Sequence, residues 1–86
     1  MGRKYKNVNK QGVRFVFAYD DDAPELLHIY VRHLTTIDDA LDTFFTGSPA
    51  KNDQYERYET FTDTHGLYWF WIEDEKVVMV ISCFKV

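Results

Sequence analysis

Three histidines and a few arginines hold most of the acid–base chemistry open to this chain. His28, Arg32 and His33 fall within about a turn of one another if they lie on a helix, with His28 and Arg32 four apart on one face. A histidine titrates near neutrality and suits general acid–base work. Arg57 and His65, on and just after a candidate strand, could join them across a sheet in a small basic site. Metal binding needs convergent ligands at a recognisable spacing, and three scattered histidines do not supply it. No metal and no cofactor is expected.

The second group of candidates is acidic and aromatic. Asp20-Asp-Asp22, Asp38-Asp39 with Asp42, and Glu73-Asp-Glu75 fall at two helix starts and a hairpin tip. Helix capping and turn chemistry account for the first two clusters. The tip Glu73, Asp74 and Glu75 is left over, beside Trp69 and Trp71. Tryptophan anchors interfaces because a rigid ring buries much area at low entropy cost. These five residues are the candidate partner-binding set. An acidic body of this kind could imitate nucleic acid and occupy a basic site on a protein that handles it.

Charge is unevenly distributed along the 86 residues, whose net value is −4. Residues 1–14 carry Arg3, Lys4, Lys6, Lys10 and Arg14 and no acid, which leaves the rest at a net of −9. Residues 1–12, polar and without periodicity, are expected to form a flexible basic arm, and 13–86 a single domain. Weak contact with RNA through residues 3–14 is one use for such an arm, while the acidic body repels phosphate. Cys83 is the lone cysteine, so no disulfide can form within one chain and a reducing cytoplasm is the expected setting. No apolar run approaches the ~20 residues of a membrane span.

The elements that must position these residues can be read in order. Gly12–Tyr19 alternates as a first strand. Asp22-Ala-Pro-Glu25 is a good helix start, and Leu27, Tyr30, Val31 and Leu34 form a helical stripe behind it. Leu27, Ile29 and Val31 also alternate, so a hairpin turning at 20–24 is the rival. Thr36 caps a second helix with Ile37, Ala40, Leu41, Phe44 and Phe45 on its buried side, and Gly47 ends it. A loop spans 48–53 and a strand 54–62. Two aromatic and β-branched runs, Leu67–Ile72 and Val77–Phe84, make a hairpin across 73–76. The expected class is α+β: two short helices on a mainly antiparallel four-stranded sheet, β-α-α-β-β-β, with β-β-α-β-β-β as the alternative. One sheet face should pack on the helices while the other meets a partner or a second copy in a homodimer.

Three stretches resemble the RelE/ParE superfamily of small toxins and its BrnT branch. Val77-Val-Met-Val-Ile-Ser82, entered through Asp74-Glu-Lys76, is similar to their last strand. Phe17-Ala-Tyr-Asp20, then Arg32-His33 and Thr36-Ile-Asp-Asp-Ala40, is similar to the BrnT opening. Glu56-Arg-Tyr58 followed by Gly66 continues the likeness. The resemblance implies a toxin of a toxin–antitoxin or phage-defence module, neutralised by an antitoxin and acting on translation through Arg32, His33, Arg57 and Lys85. Here Gly66 is followed by Leu67 rather than arginine, and Ser82 by Cys83, Phe84, Lys85 and Val86 rather than a basic cluster. Cleavage of mRNA needs groups that activate the 2′-OH and stabilise the phosphorane, which leucine and valine cannot provide. The expected function is a toxin-type protein acting mainly by binding. The alternative is a non-enzymatic acidic inhibitor, of phage anti-defence or immunity type.

Overall fold

Side chains alternate across each strand, so the face chosen by the largest apolar residues is the face the helices must cover. The computed structural model describes residues 4–86. Its elements are β1 (Tyr5–Lys10), β2 (Val13–Ala18), α1 (His28–His33), α2 (Ile37–Thr46), β3 (Ser48–Asn52), β4 (Arg57–Phe61), β5 (His65–Ile72) and β6 (Val77–Lys85). The strands form one six-stranded sheet in the order β1-β2-β6-β5-β4-β3. Neighbours run antiparallel except β2 and β6, which are parallel. The class is α+β, as expected, but the sheet is wider than four strands and mixed.

The extra strands are the two edges. Residues 5–10, expected to belong to a flexible arm, pair with β2 from Tyr5↔Ala18 to Lys10↔Val13. Gln11 and Gly12 both take positive φ, 52° and 78°, as a two-residue hairpin turn of type I′ requires. β1 could not be read from periodicity because only Val8 packs against the core. Residues 48–52, expected as loop, pair with β4 as β3. Pro49 is tolerated there because an edge strand needs hydrogen bonds on one side only.

The first helix, His28–His33, is also shorter than a helix started at Asp22 and carried through Leu34 would be. Asp22 does not cap it; Asp20 organises the turn instead. The Asp20 carboxylate accepts from the backbone N–H of Asp22 (3.0 Å) and Ala23 (3.2 Å). Its own N–H donates to the Leu26 carbonyl at 2.8 Å. Helix α1 then starts after Leu27, without a side-chain cap, and ends at Leu34 in the left-handed region. The rival hairpin survives only as the isolated bridge Tyr19↔Leu27. α2 follows its expectation closely: Thr36 and Asp39 form a reciprocal capping box.

Phe15, Phe17, Ile29, Ala40, Leu41, Leu67, Val78, Val80 and Cys83 form the core between the helices and one sheet face. α1 lies against β6, whereas α2 packs on β5 and β4. The buried Thr35 hydroxyl joins the two halves, donating to the Cys83 carbonyl at 2.8 Å. On the helix-free face the rings of Phe61 and Phe84 lie across Gly66, where a Cβ would meet them at 2.6–2.7 Å. Among the described residues no helix is long and apolar enough to cross a membrane.

Candidate functional site

The basic candidates are each tied into local contacts. Arg32 donates through Nε to Asp20 (3.2 Å) and through Nη2 to Asp22 (2.9 Å). His28 Nδ1 lies 3.4 Å from the same Asp20 carboxylate, whose side chain is 1% exposed. Burial pushes the Asp20 carboxyl up, but the two backbone N–H donors and the Arg32 guanidinium outweigh it and hold the pKa below the ordinary value. The Arg57 guanidinium meets Glu59 at 2.9 Å and lies over the ring of Tyr68, 3.9 Å from its centroid. Hydrogen bonds from Asn52 and then Arg57 hold the Glu59 carboxyl below its ordinary pKa.

His33 packs against Phe84 at 6.1 Å, and Phe84 against Tyr68 at 4.9 Å, so two rings stand between His33 and Arg57 on the helix-free face. Lys85 pairs in register with His65 at the far end of the hairpin. His65 bonds Thr64 through Nδ1 at 2.9 Å. An acid and a base acting on one phosphodiester must both come within hydrogen-bond reach of it. Here the Phe84 and Tyr68 rings separate His33 from Arg57, and Arg32 is turned to Asp20 and Asp22. Among the described residues no three His, Cys, Asp or Glu side chains are placed to hold a metal ion. Cys83 is buried in the core, and desolvation, only partly opposed by the Thr35 hydroxyl, pushes its thiol up to about 11.

The partner-binding candidates do converge. Trp69 and Trp71 are two apart on β5 and share its helix side. Trp69 stacks on Tyr58 at 4.6 Å, meets the edge of Phe44 at 5.0 Å and donates its indole N–H to Thr60 at 2.9 Å. Trp71 is 41% exposed. Together with Phe44, Tyr58, Thr60, Pro49, Val13 and Val78 these rings line a groove of about 520 Å³. The groove exists because the helix layer is incomplete. α2 stops at Gly47, where a Cβ would strike the Phe61 carbonyl oxygen at 2.8 Å, and among the described residues no element continues over the ends of β5 and β6.

At the groove's rim the chemistry changes sign. The Trp71 indole N–H donates to Glu73, which also pairs with Lys76 across the hairpin turn. Those two bonds, Lys76's the larger influence, hold the Glu73 carboxyl below its ordinary pKa. Asp74 and Glu75 follow in the same exposed turn. An apolar aromatic floor therefore opens directly onto an anionic tip. Sequence reasoning found Trp69, Trp71 and Glu73 but missed the walls. Phe44 read as wholly buried, Pro49 as loop, and Val13 as the start of an ordinary strand.

Neither a family model, nor a curated protein, nor a solved structure matches this chain.

Proposed function

We propose that this chain is a binding protein whose groove takes a basic amphipathic segment of a partner protein. One observation carries the reading: Trp71 lines the apolar groove and is held, through its indole N–H, by the acidic hairpin tip. A ligand that covers this ring meets apolar surface on one side and carboxylates on the other. Lysine and arginine around an apolar stripe are the matching chemistry, and a helix is the matching shape, since the groove is the gap in a helix layer. Both indole N–H groups are already bonded within the fold, so the floor offers burial and the rim offers charge.

A toxin that acts by blocking and an inhibitor that occupies a basic site are both binding proteins. The position of Glu73 beside Trp71 favours the inhibitor reading, with a basic nucleic-acid-handling protein as the partner. The contacts that tie up Arg32 and Arg57 speak against strand cleavage as its mode of action.

The test is a fluorescence titration with a Leu/Lys peptide whose leucines recur at i, i+3, i+4 and i+7. Binding should quench tryptophan emission, and Trp71→Ala should weaken it at least about tenfold, or about 1.4 kcal/mol. A Leu/Glu peptide of the same pattern should not bind. Equal binding of the acidic peptide, or unchanged affinity in Trp71→Ala, overturns the proposal.

A further inference from the structure

β1 is an edge of the sheet, with β2 on its inner side and, among the described residues, no strand on the other. Tyr19 donates its N–H to the Lys4 carbonyl, and the register pairs Lys6 with Phe17, Val8 with Phe15 and Lys10 with Val13. Residues that exchange bonds alternate along an antiparallel ladder. Lys6, Val8 and Lys10 therefore turn their backbone groups toward β2, and Tyr5, Asn7 and Asn9 turn theirs outward. The side chains alternate as well. Val8 packs against the core on the helix side, which places Lys6 and Lys10 on either side of it there. Between Tyr5 and Ala18 the charged residues are Lys6, Lys10 and Arg14, with no acid.

We infer that β1 accepts an additional strand from an acidic extended segment of a partner protein. Side chains directly opposite one another across two strands interact most strongly. A strand carrying Glu-x-Val-x-Glu would set carboxylates against Lys6 and Lys10 and an apolar residue against Val8. The lysines stand symmetrically about Val8, so parallel and antiparallel approach both satisfy the pattern. Lys6 shares a cleft with Glu25 and Asp38, which leaves Lys10 as the stronger of the two attractions.

The same lysines disfavour a second copy. Pairing β1 with itself about Val8 sets Lys6 against Lys10 twice, and pairing about Asn7 sets Lys4 against Lys10. Like charges directly opposite destabilise a ladder, which is how many edges avoid self-association. The other edge, β3, carries Pro49, which has no N–H to offer. This edge adjoins the Trp71 groove, since Lys10 stands opposite Val13, which lines it, but neither proposal depends on the other.

The test uses fluorescence anisotropy with labelled Thr-Glu-Thr-Val-Thr-Glu-Thr and a scrambled peptide of the same composition, Glu-Glu-Val-Thr-Thr-Thr-Thr. The patterned peptide should bind at least about tenfold more tightly than the scrambled one. Asn7→Pro removes an outward N–H without touching the β1–β2 ladder, so it should melt as the wild type does and lose about tenfold in affinity. Asn9→Pro, the next outward position, should do the same, and Trp71→Ala should bind normally. Equal affinity for both peptides, or full binding by both proline variants, overturns the strand. So does a uridine oligonucleotide that binds more tightly than the patterned peptide, since the edge would then be a general polyanion surface.

Discussion

Asp20 shows how one carboxylate can anchor a segment that has little regular structure. It closes the turn after β2 through two backbone N–H groups and receives Arg32 and His28 from α1. Its folded pKa lies below the ordinary value. A carboxyl lowered in this way stabilises the fold at every pH above its unfolded value, near 3.9, and that contribution is lost as pH falls through the folded value. Thermal melts should therefore show Asp20→Asn below the wild type at neutral pH. The two should draw together as pH falls below about 4, because the wild type alone loses this contribution. Glu59 and Glu73 are lowered too, so the wild type keeps an acid limb in either case. The difference between the two curves isolates Asp20. Curves that stay parallel down to about pH 2 would mean that the charge on Asp20 is not what secures the turn.

At the level of elements, the readable parts were those whose local signals agree with their tertiary surroundings. The β5–β6 hairpin and the capped helix α2 combine strong propensity with a clear boundary. The edges β1 and β3 lack this agreement. Tyr5, Lys6, Asn7, Asn9 and Lys10 are exposed, and Pro49 reads as loop, so only the register with a neighbour reveals a strand. The mixed sheet was illegible for a related reason: Phe15 and Val78 are apolar in either strand direction, and nothing local specifies that they lie parallel. The site divides in the same way. Trp69, Trp71 and Glu73 follow from alternation within one hairpin, whereas Tyr58 and Pro49 reach the groove only through the sheet order and Phe44 only through the packing of α2 on β5. Helix α1 was over-extended because Leu34 completes an apolar stripe, yet Leu34 is 68% exposed and sits at φ 55°. A left-handed conformation costs a non-glycine residue about 1–2 kcal/mol, while glycine loses part of that gain to the entropy of the unfolded chain. Leu34→Gly should therefore raise stability by about 0.5–1 kcal/mol, a few degrees in melting temperature. A lower melting temperature would show that the exposed leucine contributes packing worth more than its strain.

Across the whole molecule the charges are sorted by place. β1 carries Lys6 and Lys10, while the exposed acids lie on α2 and in the turns, including the tip Glu73-Asp-Glu75 beside the groove, where Lys76 and Arg14 offset part of the charge. Such sorting acts at a distance, whereas the groove acts only on contact, and the two leave different kinetic marks. Charges at the rim of an interface mainly change the rate of encounter, and buried aromatic anchors mainly change the rate of escape. With the Leu/Lys peptide, the pair Asp74→Lys and Glu75→Lys should slow association severalfold at low salt and leave dissociation nearly unchanged. At about 1 M salt, where the screening length shrinks to roughly 3 Å, its association rate should approach that of the wild type. Trp71→Ala should speed dissociation at least about tenfold at every salt concentration and leave association nearly unchanged. Stopped-flow measurements at several ionic strengths separate the two effects. If Trp71→Ala slowed association as much as the tip reversal does, ring and tip would not be dividing the work as floor and rim. The groove would then be an incidental gap beside a purely electrostatic patch, and basic peptides without an apolar stripe would bind equally well.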